Sequence, residues 1–232
     1  MEGIDDFQGC SCKPNHGILK KEMDQINRNL TRQTKARYNR IAPYYDVMEI
    51  ISEHTFSRWR RELLARVRGK VLEVGVGTGK NFPYYPEGVD VTGIDIADKM
   101  LIRARLRAGN LGFPIHLLEG DVQSLPFPEN SFDTAVATFV FCSVPDPVLG
   151  LKELGRVVVP DGEILLLEHV RIDKPAIGFM MDIMNPFFLR FIGPNINRRT
   201  VENVRKAGLC IEKITHLGFM QMVKMIIARP GK

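Results

Sequence analysis

The sequence has little of what marks a membrane-spanning or disulfide-stabilised protein. Its apolar runs are too short to cross a bilayer without interruption, and its first residues lack the apolar core of a secretory signal. Of its four cysteines, Cys142 and Cys210 fall within apolar, strand-like segments, which does not indicate a disulfide framework. We therefore expect a cytoplasmic protein and leave peripheral contact with a membrane open.

Residues 1–17 also lack a complete metal site. Cys10, Cys12 and His16 occur there, but a zinc site needs four ligands and no second pair follows nearby. We expect a flexible tail and no bound metal; metal or redox chemistry at the cysteines is the alternative.

Composition narrows the class of protein further. The chain has 232 residues, 44% hydrophobic and 25% charged, as in ordinary globular proteins, and this length suits one domain with a modest extension. Its net charge of +5 would suit an anionic lipid or a nucleic acid and identifies neither.

Residues 71–79 read VLEVGVGTG, the pattern of a buried strand that breaks into a glycine turn and opens a helix. Alternate glycines permit positive φ and leave no Cβ between the main chain and a ligand, although they also serve tight packing. A dinucleotide-binding turn needs its third glycine one place later, where this chain has Lys80. This spacing disfavours a nicotinamide oxidoreductase, as does the lack of a Tyr-x-x-x-Lys pair near residues 157–168.

Further strands are predicted after the glycine turn, over residues 89–95, 114–119, 132–138 and 157–168. Asp95 ends the first of these at the distance where a βαβ unit presents a carboxylate to ribose hydroxyls. It could also cap a helix that starts near Ala97. Asp121 follows the next strand. It either contacts a ligand or is an acidic loop residue without a role in binding. Asp133 lies at a strand entrance, so we expect it to be structural.

These motifs occur in a fixed order: the glycine turn, GDV at 120–122, PFPENSFD at 126–133 and VVVPDGE at 157–163. Together they resemble the class I S-adenosylmethionine-dependent methyltransferases. The resemblance implies an α/β fold, with a doubly wound, seven-stranded, mostly parallel Rossmann-like sheet and an N-terminal helical extension. It implies S-adenosyl-L-methionine as cofactor, with Asp95 at the ribose and Asp121 at the adenine amino group. The cofactor contacts that it assigns are Tyr45, Glu73, Gly75, Gly77, Gly79, Asp95, Ile96, Asp121, Val122 and Thr138.

A helix is predicted over residues 18–40, with one apolar and one basic face. The apolar stripe consists of Leu19, Met23, Ile26 and Leu30. Such a helix either lies on an anionic membrane surface or packs on the domain as a lid. Together with a second helix predicted over residues 55–67, the first helix would form a helical lid that comprises residues 18–68. Residues 69–232 would form the methyltransferase domain.

Two segments bear on the acceptor. Residues 37–46 resemble the stretch before the core in small methyltransferases that act on quinones, phospholipids and other lipophilic acceptors, where a tyrosine matching Tyr45 lines the cofactor pocket. Residues 177–192 are rich in Met and Phe, a composition that suits an acceptor pocket and ordinary core equally well. In the family that the sequence resembles, the insertion after the fifth strand usually covers the acceptor, so we expect a pocket for an apolar or amphiphilic substrate. Thr200 is predicted to cap the next helix, and Arg198 and Arg199 either meet a phosphate or face solvent.

Two short sequence segments indicate which methyl acceptor is favoured within the family. FVFCSV at 139–144 and LEHV at 167–170 look more like bacterial phosphatidylethanolamine N-methyltransferases and animal thiol methyltransferase-like proteins than like ubiquinone/menaquinone methyltransferases. We expect methyl transfer to a phospholipid head-group amine, with a quinone ring or a small thiol as the alternative. His169 is the candidate general base because the ordinary pKa of histidine lies near neutrality; a structural histidine is the other interpretation.

Nucleic-acid methylation is less well supported. Amino-group enzymes of that class carry an Asn/Asp-Pro-Pro-aromatic motif where this chain has residues 138–141, and the similar residues 185–188 come too late in the chain. Cys142 is expected to be a small buried residue and not a nucleophile. We expect a lipid or small-molecule partner, possible membrane contact through the basic helix, no nucleic acid, and a monomer or homodimer.

Overall fold

The computed structural model describes residues 16–48, 50–111, 114–172, 174–191 and 194–232. Cys10 and Cys12, in the predicted tail, lie outside these ranges, and the side chain of Leu19 is also outside what is described. Within the described ranges, no helix is long and apolar enough to cross a membrane.

Seven strands form one sheet in the order β3-β2-β1-β4-β5-β7-β6. They are β1 (Lys70–Val74), β2 (Asp90–Asp95), β3 (Ile115–Glu119), β4 (Phe132–Thr138), β5 (Val158–His169), β6 (Cys210–Leu217) and β7 (Val223–Arg229). The first five pair in parallel, and β7 runs antiparallel to both of its neighbours. The predicted seven-stranded, mostly parallel sheet is confirmed.

The helices are α1 (His16–Ile41), α2 (Tyr45–Met48), α3 (Ile50–Leu64), α4 (Asp98–Ala108), α5 (Pro147–Val157), α6 (Pro175–Phe191) and α7 (Thr200–Lys206). The start of α5 shows why the chain turns helical there. The Asp146 side chain accepts a hydrogen bond from the Leu149 N–H at 2.9 Å, and Pro147 supplies the helical φ of the first position.

Helices cover both faces of the sheet, so its central strands are apolar on both sides. On one face, Leu151 and Leu154 of α5 belong to a buried cluster with residues of β1, β4 and β5; on the other, Leu63 of α3 and Leu101 of α4 belong to a cluster with residues of β1, β2 and β5. Chain order reverses beside β1, which has β2 on one side and β4 on the other. This arrangement opens a crevice at the carboxyl ends of β1 and β4, where ligands bind in open α/β sheets.

Several sequence predictions differ from the structure in detail. Thr200 is the first residue of α7 and not its cap, because the helix begins after Arg199, which makes no side-chain capping bond. Cys142 lies in the turn after β4 and not in a strand, and Cys210, which begins β6, is exposed. Asp133 is structural as expected: it accepts a hydrogen bond from the Lys70 N–H at 2.8 Å.

Candidate functional site

The glycine turn after β1 contains three residues with positive φ, of which Gly77 differs from its neighbours. A Cβ at Gly75 would stand 2.7 Å from the Val140 side chain, and one at Gly79 would stand 2.4 Å from the Phe82 ring. A Cβ at Gly77, where φ is +56°, would meet no protein atom within 4 Å. Packing therefore requires glycine at the outer two positions, whereas at Gly77 a side chain would enter the open crevice.

Asp95 lies at the carboxyl end of β2 and holds the glycine turn. Its two carboxylate oxygens accept hydrogen bonds from the backbone N–H groups of Gly77 and Ala97, each at 2.8 Å. Burial raises the pKa of this carboxyl, and the backbone hydrogen bonds oppose the rise. The predicted helix cap is wrong in detail, because α4 begins at Asp98 and its capping position is Ala97.

A cavity opens over these residues at the carboxyl ends of β1, β2 and β4. The predicted cofactor contacts that line it are Tyr45, Gly75, Gly77, Asp95, Ile96, Asp121, Val122 and Thr138. Glu73, Gly79 and His169 are not among its lining residues.

Glu73 belongs to a buried hydrogen-bond network next to the cavity. Its carboxylate accepts hydrogen bonds from Asn81 Nδ2 and the Tyr85 hydroxyl, both at 2.8 Å. Burial raises the pKa of Glu73 to about 7. Asn81 Nδ2 also donates to Thr138 Oγ1 at 3.1 Å, which connects this buried network to the cavity wall.

His169 contacts two aromatic side chains near the cavity. Its ring centroid is 4.5 Å from that of Phe139, which lines the cavity, and 5.8 Å from that of Phe56. His169 itself is not among the residues that line the cavity, although it contacts one that is. Its role as a base stays a prediction without support from this geometry.

Arg60 of α3 is a cavity residue that the sequence interpretation missed. It is 4% exposed, and its Nη1 donates to Asn81 Oδ1 at 3.1 Å and to Thr138 Oγ1 at 3.0 Å. Its Nε has no hydrogen-bond partner among the described residues. One signal could have found it: Arg60 shares a helix face with Phe56 and Leu63, so a cation interrupts an apolar face.

The second half of α1 covers the cavity, and Thr31, Thr34 and Tyr38 line it. Thr31 Oγ1 donates to Asp121 Oδ2 at 3.3 Å, and the hydroxyls of Tyr38 and Ser143 share a hydrogen bond of 2.6 Å. These contacts join the helix to the ends of β3 and β4.

The first half of α1 differs from the lid interpretation. Met23 is 69% exposed, Ile26 59% and Leu30 44%. The predicted apolar stripe therefore does not pack on the domain along this half of the helix.

The Met/Phe-rich segment forms α6, and its large apolar side chains face outward: Phe179, Met180, Ile183, Met184 and Phe187 are 43–64% exposed. The core interpretation is wrong for these residues, and none of them lines the cofactor cavity. The helix is attached through polar contacts, among them Arg171 Nη2 to Asp182 Oδ2 at 2.9 Å and Asn185 Nδ2 to Asn195 Oδ1 at 3.0 Å.

Cys142 is buried beside this region. Burial raises the pKa of its thiol to about 12, so it stays protonated near neutral pH and is a poor nucleophile.

Comparison with known proteins agrees with this geometry. The profile of the methyltransferase domain family matches residues 72–166. A phosphatidylethanolamine N-methyltransferase of Cereibacter sphaeroides is 38% identical over 66% of this chain and 72% of its own length. A demethylmenaquinone methyltransferase of Thermus thermophilus is 33% identical over 67% of this chain and 74% of its own. The structure of a possible histamine N-methyltransferase of Thermotoga maritima superposes with a TM-score of 0.64 at 20% identity, covering 86% of this chain and 100% of that one.

Proposed function

The chain belongs to the S-adenosylmethionine-dependent methyltransferases, and we propose that its acceptor is the head-group amine of a phospholipid. The residues of the cavity fit the cofactor. Gly77 provides a surface that a Cβ would fill, Asp95 offers a carboxylate, and Arg60 offers a buried cation.

We assign the nucleoside half of the cofactor to Asp95 and Asp121. Each oxygen of Asp95 accepts one backbone hydrogen bond, which leaves acceptor capacity for a ribose hydroxyl. Asp121 is oriented by the Gln123 N–H, which donates to its Oδ1 at 2.9 Å, and by Thr31. Its carboxylate is a suitable acceptor for an exocyclic amino group.

We assign the carboxylate of the cofactor's methionine part to Arg60. The guanidinium is buried, and its hydrogen-bond partners, Asn81 and Thr138, are neutral. The nearest carboxylate in the network, Glu73, is reached only through Asn81, and the Nε of Arg60 has no partner among the described residues, so a directly bonded anion would lower the cost of burying this cation. A charge-assisted hydrogen bond to the cofactor would supply that anion and fix the other end of the molecule.

Catalysis then consists chiefly of alignment. The bound cofactor supplies a methyl group made electrophilic by its sulfonium. The protein's task is to hold an amine in line with the sulfur–carbon bond, in a site that excludes water. Held by Asp95, Asp121 and Arg60, the cofactor would supply the methyl group to the amine nitrogen and keep the electron pair of the sulfur–carbon bond, and the methylated amine would release its proton to solvent.

The choice of acceptor is supported by the Cereibacter relative, which is named for phosphatidylethanolamine, and by the exposed apolar face of α6. Relatives named for demethylmenaquinone make a quinone ring the second candidate. Radiolabelled S-adenosylmethionine, incubated with the protein and separately with phosphatidylethanolamine vesicles, a demethylmenaquinone and a small thiol, discriminates between them. We expect label in the phospholipid, and label confined to the quinone or the thiol would refute this acceptor.

We also propose that α1 contacts a membrane surface. Met23, Ile26 and Leu30 are exposed, and the helix carries several cations. Sedimentation with anionic vesicles should fall when residues 1–30 are deleted, and it should weaken with salt in the intact protein. Equal sedimentation of both proteins would contradict the proposal.

A further inference from the structure

A second cavity lies where the chain leaves β5 and enters α7. Its lining residues are Val170, Arg171, Arg198, Arg199, Thr200, Val201, Glu202 and Lys224. None of these residues lines the cofactor cavity.

Positive charge exceeds negative charge in this cavity. Four of the lining residues are cations, Arg171, Arg198, Arg199 and Lys224, and Glu202 is the one carboxylate among them. Glu202 is itself paired with Arg199, whose Nη1 lies 3.1 Å from Glu202 Oε1 at the exposed rim. Arg171 is likewise paired with a carboxylate, that of Asp182 at 2.9 Å, so an entering anion would gain most from Arg198, whose hydrogen-bond partners are neutral.

Two polar groups that line the cavity favour an oxyanion. Thr200 is 1% exposed, and its hydroxyl has no hydrogen-bond partner among the described residues. Arg198 is partly buried, and its guanidinium donates to neutral carbonyl oxygens, to that of Val144 at 2.7 Å and that of Cys142 at 3.5 Å. A group with several acceptor oxygens would satisfy the hydroxyl and the remaining guanidinium donors together.

We propose that this cavity binds a phosphate oxyanion, as carried by inorganic phosphate or by a phospholipid head group. Two connections favour the head group, a choice that rests on the proposed function. Arg198 bonds to the turn that contains Ser143 and Val144, which line the cofactor cavity. Arg171, which lines the cavity, pairs with Asp182 of α6, the helix whose large apolar side chains are exposed. An anion site next to an apolar surface matches the two parts of an amphiphile.

The test uses Arg199→Gln and Thr200→Val, each of which removes one group from the cavity and leaves Arg198 in place. Arg205→Gln is the matched control, because Arg205 is an exposed cation of the same helix that does not line the cavity. Inorganic phosphate should raise the Tm of the intact protein and of the control variant. In Arg199→Gln and Thr200→Val, phosphate should raise the Tm clearly less. S-adenosylmethionine affinity should be the same in all four proteins. An equal rise in Tm with phosphate in all four proteins would contradict the proposed phosphate site.

The source of the phosphate is decided by kinetics with phosphatidylethanolamine vesicles. If the site holds the head group, Arg199→Gln should raise the KM by about tenfold or more, the scale of one charge-assisted hydrogen bond, with kcat little changed. An unchanged KM together with a lost phosphate response would overturn the head-group assignment and leave a free-phosphate site. If the intact protein binds phosphate but methylates no phospholipid, the proposed acceptor fails while the phosphate site stands.

Discussion

Replacing Asp95 by Asn tests the cofactor site at the residue on which its geometry depends most. The carboxylate accepts the N–H groups of Gly77 and Ala97 at 2.8 Å and faces the cavity. The amide keeps the size of the side chain but has a single acceptor oxygen, so its NH₂ group must face one backbone N–H. The change removes a charge-assisted acceptor for the ribose and also loosens the glycine turn.

The expected loss follows from the bonds involved. A hydrogen bond to a charged group contributes about 1.5–3 kcal/mol net, so the Kd for S-adenosylmethionine should rise by roughly 10-fold to 150-fold. Leaving one backbone N–H without its partner should also lower the free energy of unfolding by about 1–3 kcal/mol.

Calorimetric titration with S-adenosylmethionine, together with thermal unfolding, measures both effects. Asp90→Asn is the control, because Asp90 begins the same strand, is exposed and lies away from the cavity. Affinity within twofold of the intact protein in a folded Asp95→Asn variant would refute the ribose assignment.

Three further predictions follow from the same site. Gly77→Val should abolish cofactor binding, whereas Gly88→Val, which also has positive φ and no atom within 4 Å of its Cβ but lies off the cavity, should bind normally in calorimetry. Arg60→Met should raise the Kd for the cofactor by roughly 10-fold to 150-fold, whereas Arg58→Met, which changes an exposed arginine of the same helix, should leave it unchanged. Equal cofactor affinity in the two variants would contradict the assignment of the cofactor's carboxylate to Arg60. The pKa of Glu73 is about 7 when folded and about 4.3 when unfolded, so the folded state binds more protons between these values. Stability from this group is complete below the lower value and is lost as the pH rises through the higher one, so Tm should fall less between about pH 5 and pH 8 in Glu73→Gln than in the intact protein; parallel Tm profiles would contradict this.

The sequence predicted the sheet and the glycine turn well because local patterns determine them. The strand predicted over 132–138 is β4 without change of boundary, and Asp95 stands at the end of β2 as expected. A buried strand reads as an apolar run, and a tight turn reads as glycine. Both signals are contained in a few neighbouring residues.

The parts that failed depend on contacts between distant segments. Arg60 reads in isolation as one cation in a basic helix; its place on the helix face of Phe56 and Leu63 indicates burial, and its hydrogen bond to Thr138 of β4 shows that it lies at the cavity. His169, predicted as the base, is not among the residues that line the cavity; its ring centroid lies 4.5 Å from that of Phe139, which does line it, and its role as a base stays a prediction. The apolar residues of α6 indicated burial, but the helix is attached by polar contacts that leave Met184 and its neighbours exposed.

A crystal structure of the protein with S-adenosylhomocysteine tests the central claim most directly, because it shows which side chains hold the product form of the cofactor. We expect the ribose hydroxyls within hydrogen-bond distance of Asp95, the backbone of Gly77 against the ligand, and the ligand's carboxylate paired with Arg60. A ligand bound elsewhere, or in this cavity with its carboxylate turned away from Arg60 and its ribose away from Asp95, would contradict the account.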